Sequence, residues 1–379
     1  MTTAARHPQL ADALARLPRV VDLLAARAEE HDRDAGFPYQ GIEAVHEAGL
    51  LTLTVSERYG GAGCGLADTV RVLAELGRGD PSVALVSALT LLTHAQQAHT
   101  PYWPEPVYAD LLADSVRGPA LVGVLGPEPG TAARRDGTDW LLTGRTPAVP
   151  GAEALAWMVV SARLPVPDGS AGLDGVDGTV DGSAGADGGV GLFLVQGDAP
   201  GVQIEPAWEQ LGLRATASQD VLLDSVLVGP EAVVGGASPV LDPCWLDLVL
   251  PAVHLGVARA ARDWLVAAVR KDPAEGRPDE ALGRIEVDLV TAEELLQGLA
   301  RRVDRGDPGA RDRTGAARVV ATRAAIGVVE QAVALSGSAG LSRAHPLERH
   351  LRDVLHARGR GPREHDLLAE AGRRALYGG

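Results

Sequence analysis

The chain has 379 residues, 46% of them hydrophobic, which suffices for two or three domains around large cores and excludes wholesale disorder. Fifty acidic against 35 basic residues give a formal charge of -15, so neither nucleic acid nor an anionic membrane surface is an expected partner. Two cysteines, Cys64 and Cys244, are too few for a disulfide framework or a four-cysteine zinc site and fit a reducing, cytoplasmic setting.

At the N-terminus Leu10, Leu14 and Leu17 recur at helical spacing without the continuous apolar run of a secretion signal. Ile42, Val45 and Ala48 before Gly49, then Val70, Leu73 and Leu76 before Gly77, read as two short helices ending in glycine C-caps. Asp80-Pro81 reads as an N-cap and a first-turn proline, opening a helix from Ser82 to Ala98 that is apolar on nearly every face and therefore central.

Near residue 118 the period changes. Ala120 to Leu125, Trp140 to Leu142, Ala156 to Ser161, Val190 to Val195 and Val221 to Val228 are short β-rich runs separated by Gly, Pro and Asp. Between them Pro165 to Gly189 has almost nothing to bury and is expected to be a disordered insertion; its aspartates lack calcium-loop spacing. From Trp245 long amphipathic helices return with short polar connections, the pattern of an antiparallel bundle. The expected fold is α+β multidomain: an N-terminal α-helical domain (1–117), a middle β-barrel-like domain (118–235) and a C-terminal four-helix bundle (240–379). No stretch reaches the roughly 20 apolar residues needed to span a bilayer, so a soluble protein is expected.

Chemistry-bearing motifs are sparse. Lys271 is the single lysine and sits in a polar helix end, the ten histidines show no metal-ligand spacing, and no Gly-x-Ser-x-Gly elbow occurs. The glycine cluster from Gly60 to Gly65 lacks the nucleotide fingerprint and a following lysine.

Four ordered groups of residues carry a resemblance. They are Glu47-Ala48-Gly49-Leu50-Leu51 with Ser56 to Gly63 and Glu75 to Ala84; Glu128-Pro129-Gly130-Thr131 with Trp140 to Arg145 and Gly151; Leu211 to Thr216 with Ser218 and Val221; and Ser336 to Gly340 with Pro346 to Arg349 and Leu351-Arg352-Asp353. Together they are similar to the acyl-CoA dehydrogenase superfamily over nearly the whole chain. The resemblance implies FAD between the β domain and the bundle (FMN in the monooxygenases of the same fold), and a homotetramer or homodimer whose neighbouring chain completes the cofactor site. Pro127, Thr131, Val149 and Pro150 are then expected beside the flavin, and Gly337 and Ser338 near the dinucleotide of a neighbouring subunit. Expected partners are an acyl-CoA or another small-molecule substrate, with an electron-transfer flavoprotein or a flavin reductase.

The chain also departs from the family pattern. The glutamate that removes the α-proton of an acyl thioester is replaced by Gly361, and at the family's other base position Asp247 is the adjacent carboxylate, where a solvent-facing helix charge is the simpler expectation. Gly144-Arg145-Thr146-Pro147 and Gly372-Arg373 are closer to the monooxygenase branch, yet the serine and histidine that stabilise its hydroperoxyflavin read Pro150 and Arg360. His94 matches a histidine of those monooxygenases, though a lone histidine on an apolar helix is more often a satisfied core residue. Ala148 stands where the flavin wall usually has an aromatic ring. The reading favoured by the resemblance is an FAD-dependent α,β-dehydrogenation of an acyl thioester, with Asp247 and His94 as candidate catalytic residues. The alternatives are a flavin-dependent monooxygenase or N-hydroxylase, and a non-catalytic scaffold or binding subunit.

Overall fold

The computed structural model describes residues 8–126, 130–165, 189–234, 241–271, 278–359 and 363–377. Five helices come first: α1 (Pro8–Asp34), α2 (Tyr39–Glu47), α3 (Leu66–Gly79), α4 (Pro81–His99) and α5 (Glu105–Arg117). Eight strands follow: β1 (Leu121–Leu125), β2 (Ala132–Asp136), β3 (Asp139–Val149), β4 (Leu155–Arg163), β5 (Val190–Gln196), β6 (Val202–Glu205), β7 (Gln219–Val228) and β8 (Val233–Val234). Six helices close the chain: α6 (Pro243–Lys271), α7 (Asp279–Val303), α8 (Pro308–Arg311), α9 (Thr314–Leu335), α10 (Pro346–Leu355) and α11 (Glu364–Tyr377). Helical N- and C-terminal regions around a middle sheet are therefore present as expected. Most of the 165–189 insertion lies outside the described residues.

The described residues form two compact units. A helical unit gathers those of Met1–Ala98, Glu209–Thr216 and Leu241–Gly379; a sheet unit holds His99–Trp208 and those of Ala217–Val240.

In the helical unit, α4 begins as its sequence predicts, with the Ser82 N–H donating to Asp80 Oδ1 at 2.8 Å and Pro81 in the first turn. Sixteen of its side chains are buried, in keeping with an apolar residue on nearly every face. Gly49 takes the left-handed conformation, φ +74°, expected just beyond the end of α2. Gly77 does not end its helix, because α3 continues to Gly79. Its role is steric: a Cβ on Gly77 would stand 2.4 Å from the Val253 carbonyl oxygen, and one on Gly256 would stand 2.3 Å from that of Ala74. Two facing glycines thus set a close crossing of α3 and α6.

Helix α6 is long and apolar enough to cross a membrane by length and composition, yet 78% of its apolar window is buried, which makes it a core helix. Around it pack α7, α9 and α10. The N-terminus of α3 is already occupied by protein: Asp304 Oδ1 and Oδ2 accept from the Leu66 and Ala67 amides at 2.7 and 3.0 Å. The glycine-rich turn before it therefore presents those amides to a carboxylate of the chain itself.

Residues Glu209–Thr216 leave the sheet, enter the helical unit and return. Leu213 donates its N–H to Asp353 Oδ1 at 2.7 Å, and Arg352 Nη1 donates to the Leu211 carbonyl at 2.8 Å. Arg214 Nε donates to the Asp32 carbonyl at 2.7 Å. Leu213 itself is 1% exposed and packs with Leu85 and Leu250, at the cost of a left-handed φ of +50°.

In the sheet unit the strand order is β6-β7-β3-β2-β4-β5-β8, with β1 pairing β4. β2 and β3 form a hairpin closed at Asp136 and Asp139, with Gly137 at φ +63° in its two-residue loop. β4 and β5 pair antiparallel from Trp157 with Gln196 to Arg163 with Val190. β3 runs on past Leu142, its register on β7 shifting between Leu142 and Gly144 and again between Thr146 and Val149.

Candidate functional site

In the helical unit the candidate residues centre on α6. Asp247 is 8% exposed, so it is not a solvent-facing charge. Thr314 Oγ1 donates to its Oδ2 at 3.1 Å, and Arg318 Nη1 lies 3.4 Å from its Oδ1. Arg318 is itself 6% exposed, which makes this a buried ion pair between α6 and the first turns of α9. Burial pushes the Asp247 carboxyl above its ordinary range, opposed by the Arg318 charge and by hydrogen bonds from Thr314 and Arg318. Pro251, one turn on, has no N–H to give the Asp247 backbone carbonyl.

His254 follows on the same helix. Its Nδ1 lies 2.9 Å from the Leu250 carbonyl, which makes Nδ1 the protonated nitrogen and leaves Nε2 a bare acceptor; that Nε2 is buried with no partner among the described residues. The ring stacks on His356 with centroids 6.2 Å apart. Burial lowers its pKa to about 4, assisted by the Arg318 charge, and His94 on α4 is likewise lowered to about 4 by burial alone. Both rings are neutral near pH 7.

Arg318 also lines a cavity of about 490 Å³ formed by α9, Ala357-Arg358 and α11. Thr322, Arg323, Glu330 and Glu364 make its wall polar, while Ile326 and Leu367 supply apolar surface. Gly315 keeps the adjoining corner open: a Cβ there would meet Leu367 at 3.2 Å and Asp247 Oδ2 at 3.7 Å. Gly337, at φ +61°, and Ser338 lie exposed in the turn after α9. Pro127, Arg360 and Gly361 fall outside the described residues.

The sheet unit carries the residues expected beside a flavin. Thr131 is 1% exposed, and its Oγ1 is buried without a hydrogen-bond partner among the described residues. Gly144 fits against it, because a Cβ would stand 2.5 Å from the Gly130 oxygen and from Thr131 Cα. Farther along β3, Ala148 and Gly151 both have positive φ, +54° and +66°, and bracket the buried Val149 and Pro150. This turn is clamped. Asp220 accepts from the Ala148 N–H at 3.0 Å and pairs with Arg145 at 2.7 Å, while Arg145 also reaches Glu205 at 3.0 Å. A non-glycine residue held in the left-handed region costs of order 1 kcal/mol and persists where its surroundings enforce it. An orphaned hydroxyl, a glycine-lined approach and a rigid turn suit the flat, polar-edged ring of a flavin.

Arg318, Thr314, His254 and His356 carried no sequence signal. The Thr314 and Arg318 pair has the i, i+4 spacing of one helix face, but its partner Asp247 lies 71 residues from Arg318.

The acyl-CoA dehydrogenase N-terminal domain model matches residues 11–99, and the C-terminal domain model matches residues 248–367. A putative acyl-CoA dehydrogenase of Bacillus subtilis (strain 168), YdbM, is 29% identical over 94% of this chain and 95% of its own length. The L-evernosamine nitrososynthase of a Micromonospora species is 30% identical over 88% of this chain and 84% of its own. Among solved structures, KijD3 in complex with FMN and dTDP-3-amino-2,3,6-trideoxy-4-keto-3-methyl-D-glucose superposes with a TM-score of 0.84 at 24% identity, covering 100% of this chain and 96% of that one. The chain belongs to the acyl-CoA dehydrogenase superfamily.

Proposed function

We propose that the protein is a flavin-dependent oxygenase that hydroxylates an amino group on a small polar substrate. The observation that carries this reading is the state of Asp247. The carboxylate nearest a base position of the dehydrogenases is held by Arg318 and Thr314 in a buried pair. A general base must present a free lone pair to the proton it removes, and freeing this one would leave the Arg318 charge buried alone. The likeness to L-evernosamine nitrososynthase, and to KijD3 with its amino sugar and FMN, supports the same reading.

A bound reduced flavin supplies two electrons, dioxygen supplies the oxygen atom, and the amine leaves as a hydroxylamine with one water formed. The chain's part is binding and proton placement. Thr131 and the clamped Ala148–Gly151 turn would hold the flavin ring. The polar cavity beside Arg318 has the volume of a small-molecule site; its Glu364 is paired with Arg323 and its Glu330 with Arg358, so it would offer a small substrate a charge-balanced, hydrogen-bonding wall. Neutral His254 would accept a hydrogen bond at Nε2, and neutral His94 would likewise add no charge near pH 7.

The expected result is oxygen uptake and a product 16 mass units heavier when chemically reduced FMN or FAD is supplied with a panel of amino sugars. A second reading, α,β-dehydrogenation, is favoured by the YdbM likeness and by the raised Asp247 pKa, which brings a carboxyl toward the range of a working base. It predicts anaerobic bleaching of bound flavin by an acyl-CoA, lost by about 10²-fold in Asp247→Asn. Bleaching of that kind, with no oxygen transfer to any amine, would overturn the oxygenase reading.

A further inference from the structure

A second cleft in the helical unit, of about 470 Å³, is bordered by α1, by residues 209–214 and by α10 with the turn before it. Its floor is rigid. Arg352 pairs through both Nη atoms with Asp32 at 2.8 and 2.6 Å, and through Nε and Nη2 with Glu348 at 2.7 and 2.9 Å, so its charge is fully engaged.

Two other arginines of this cleft differ. Arg214 is fixed by its Nε bond to the Asp32 carbonyl, and its Nη atoms have no carboxylate partner among the described residues. Arg343 is exposed and makes no ion pair among the described residues. About half of the arginines among the described residues form ion pairs, as at Arg145, Arg259, Arg302 and Arg374; what sets Arg214 and Arg343 apart is that they share one cleft. With Arg33 paired to Glu29 at 3.9 Å and Glu209 the one lining carboxylate without an ion pair among the described residues, the unpaired charges on the concave surface are two guanidiniums, Arg214 and Arg343, against one carboxylate, which suits an anion. The paired Nη edge of an arginine matches two oxygens of a tetrahedral oxyanion, and fixing Nε beforehand lowers the ordering cost of binding. Glu209 and Gln210 on the same wall supply acceptors for a hydroxyl or amino group attached to that anion.

We propose that this cleft binds a phosphate-bearing small molecule, with Arg214 and Arg343 holding the phosphate and Glu209 and Gln210 reading the group it carries. The site is independent of the redox reading, since none of its residues belongs to the Asp247 cluster or to the flavin wall.

The test uses the full chain and inorganic pyrophosphate as the probe, by titration calorimetry at low ionic strength. One site per chain is expected, weakened about tenfold by Arg343→Gln and by Arg214→Gln, in line with loss of a charge-assisted contact. Arg313→Gln removes the same charge from outside the cleft and is expected to change binding less than about twofold. Arg214→Gln also breaks the bond to Asp32, so Arg343→Gln, whose side chain supports nothing in the fold, decides the question. The proposal is overturned if wild type binds no pyrophosphate, if Arg343→Gln binds as wild type does, or if Arg313→Gln loses as much affinity as Arg343→Gln.

Discussion

Asp353 shows how one buried carboxylate ties a loop to a helix and makes stability depend on pH. It is 3% exposed and caps the Leu213 amide. Burial raises its pKa to about 7; the Leu213 hydrogen bond and Arg349 oppose this, while Asp32 and Asp80 reinforce it. A raised native pKa means that the folded state binds this proton more tightly than the unfolded one. Its contribution is therefore complete below the unfolded value near 4 and is lost as pH rises toward 7. Urea midpoints measured across that window should fall with rising pH in wild type and fall less in Asp353→Asn, which keeps an acceptor for Leu213. Asp353→Ala leaves a buried N–H unpaired and should cost about 1–3 kcal/mol at pH 7; a loss no greater than that of the asparagine variant would show that the cap contributes nothing. The Arg352-Asp353 dipeptide was visible in the sequence as part of a family pattern. Its physical task was not, because the amide it caps lies 140 residues away.

At the scale of elements, legibility followed periodicity. The bundle helices were readable because an apolar period of 3.6 residues repeats often enough to identify a face, and α4 because an almost unbroken apolar run follows its Asp80-Pro81 start. Strands β2, β6 and β8 were missed. β2 reads Ala-Ala-Arg-Arg-Asp with four of five residues exposed, and β8 has only two residues, so neither shows an alternation. Gly77 was misjudged as a C-cap because a cap and a close helix crossing both select glycine, and only the position of α6 distinguishes them. The distinction has a measurable consequence. Gly77→Ala or Gly256→Ala forces a methyl against a backbone carbonyl and should destabilise by about 1–3 kcal/mol or more. Gly283→Ala, at an exposed position of α7 with nothing within 4 Å, should instead stabilise by about 0.5–1 kcal/mol. Equal shifts in thermal midpoint for the three variants would remove the steric account of the α3–α6 crossing.

For the molecule as a whole, the acidic charge and the exposed apolar side chains bear on assembly. Val287 and Val290 on α7 are 65% and 55% exposed, and Leu376 and Tyr377 at the end of α11 are 76% and 81% exposed. Helix α11 has no buried residue and is held by ion pairs from Arg323 to Glu364 and from Arg374 to Asp312. Fourteen residues form a marginal helix in water unless their apolar face is covered. Such surfaces are expected to be covered by other copies of the chain, so light scattering at micromolar concentration should report a dimer or tetramer. Half-molar salt should weaken the α11 ion pairs, speeding amide exchange in α11 relative to α6. The superfamily pattern in the sequence already implied an oligomer; which helices stay uncovered within one chain became apparent only from the burial of each.

The excursion of residues Glu209–Thr216 into the helical unit sets an order of events during synthesis. The amide of Leu213 leaves the ribosome long before its acceptor on Asp353, and Asp32 waits 320 residues for Arg352. At about 5–20 residues per second, 140 residues take roughly 7–28 s, ample time for a sheet to pair while the Leu213 amide still waits. Until α10 emerges, the Leu213 amide lacks its acceptor, while Leu85, the Asp32 carbonyl and, soon after, Leu250 are already available to the segment. A translational pause in that interval would thus prolong the time for which the Leu213 amide is unpaired, and the loop would be seated by its side chain before it is locked by its backbone.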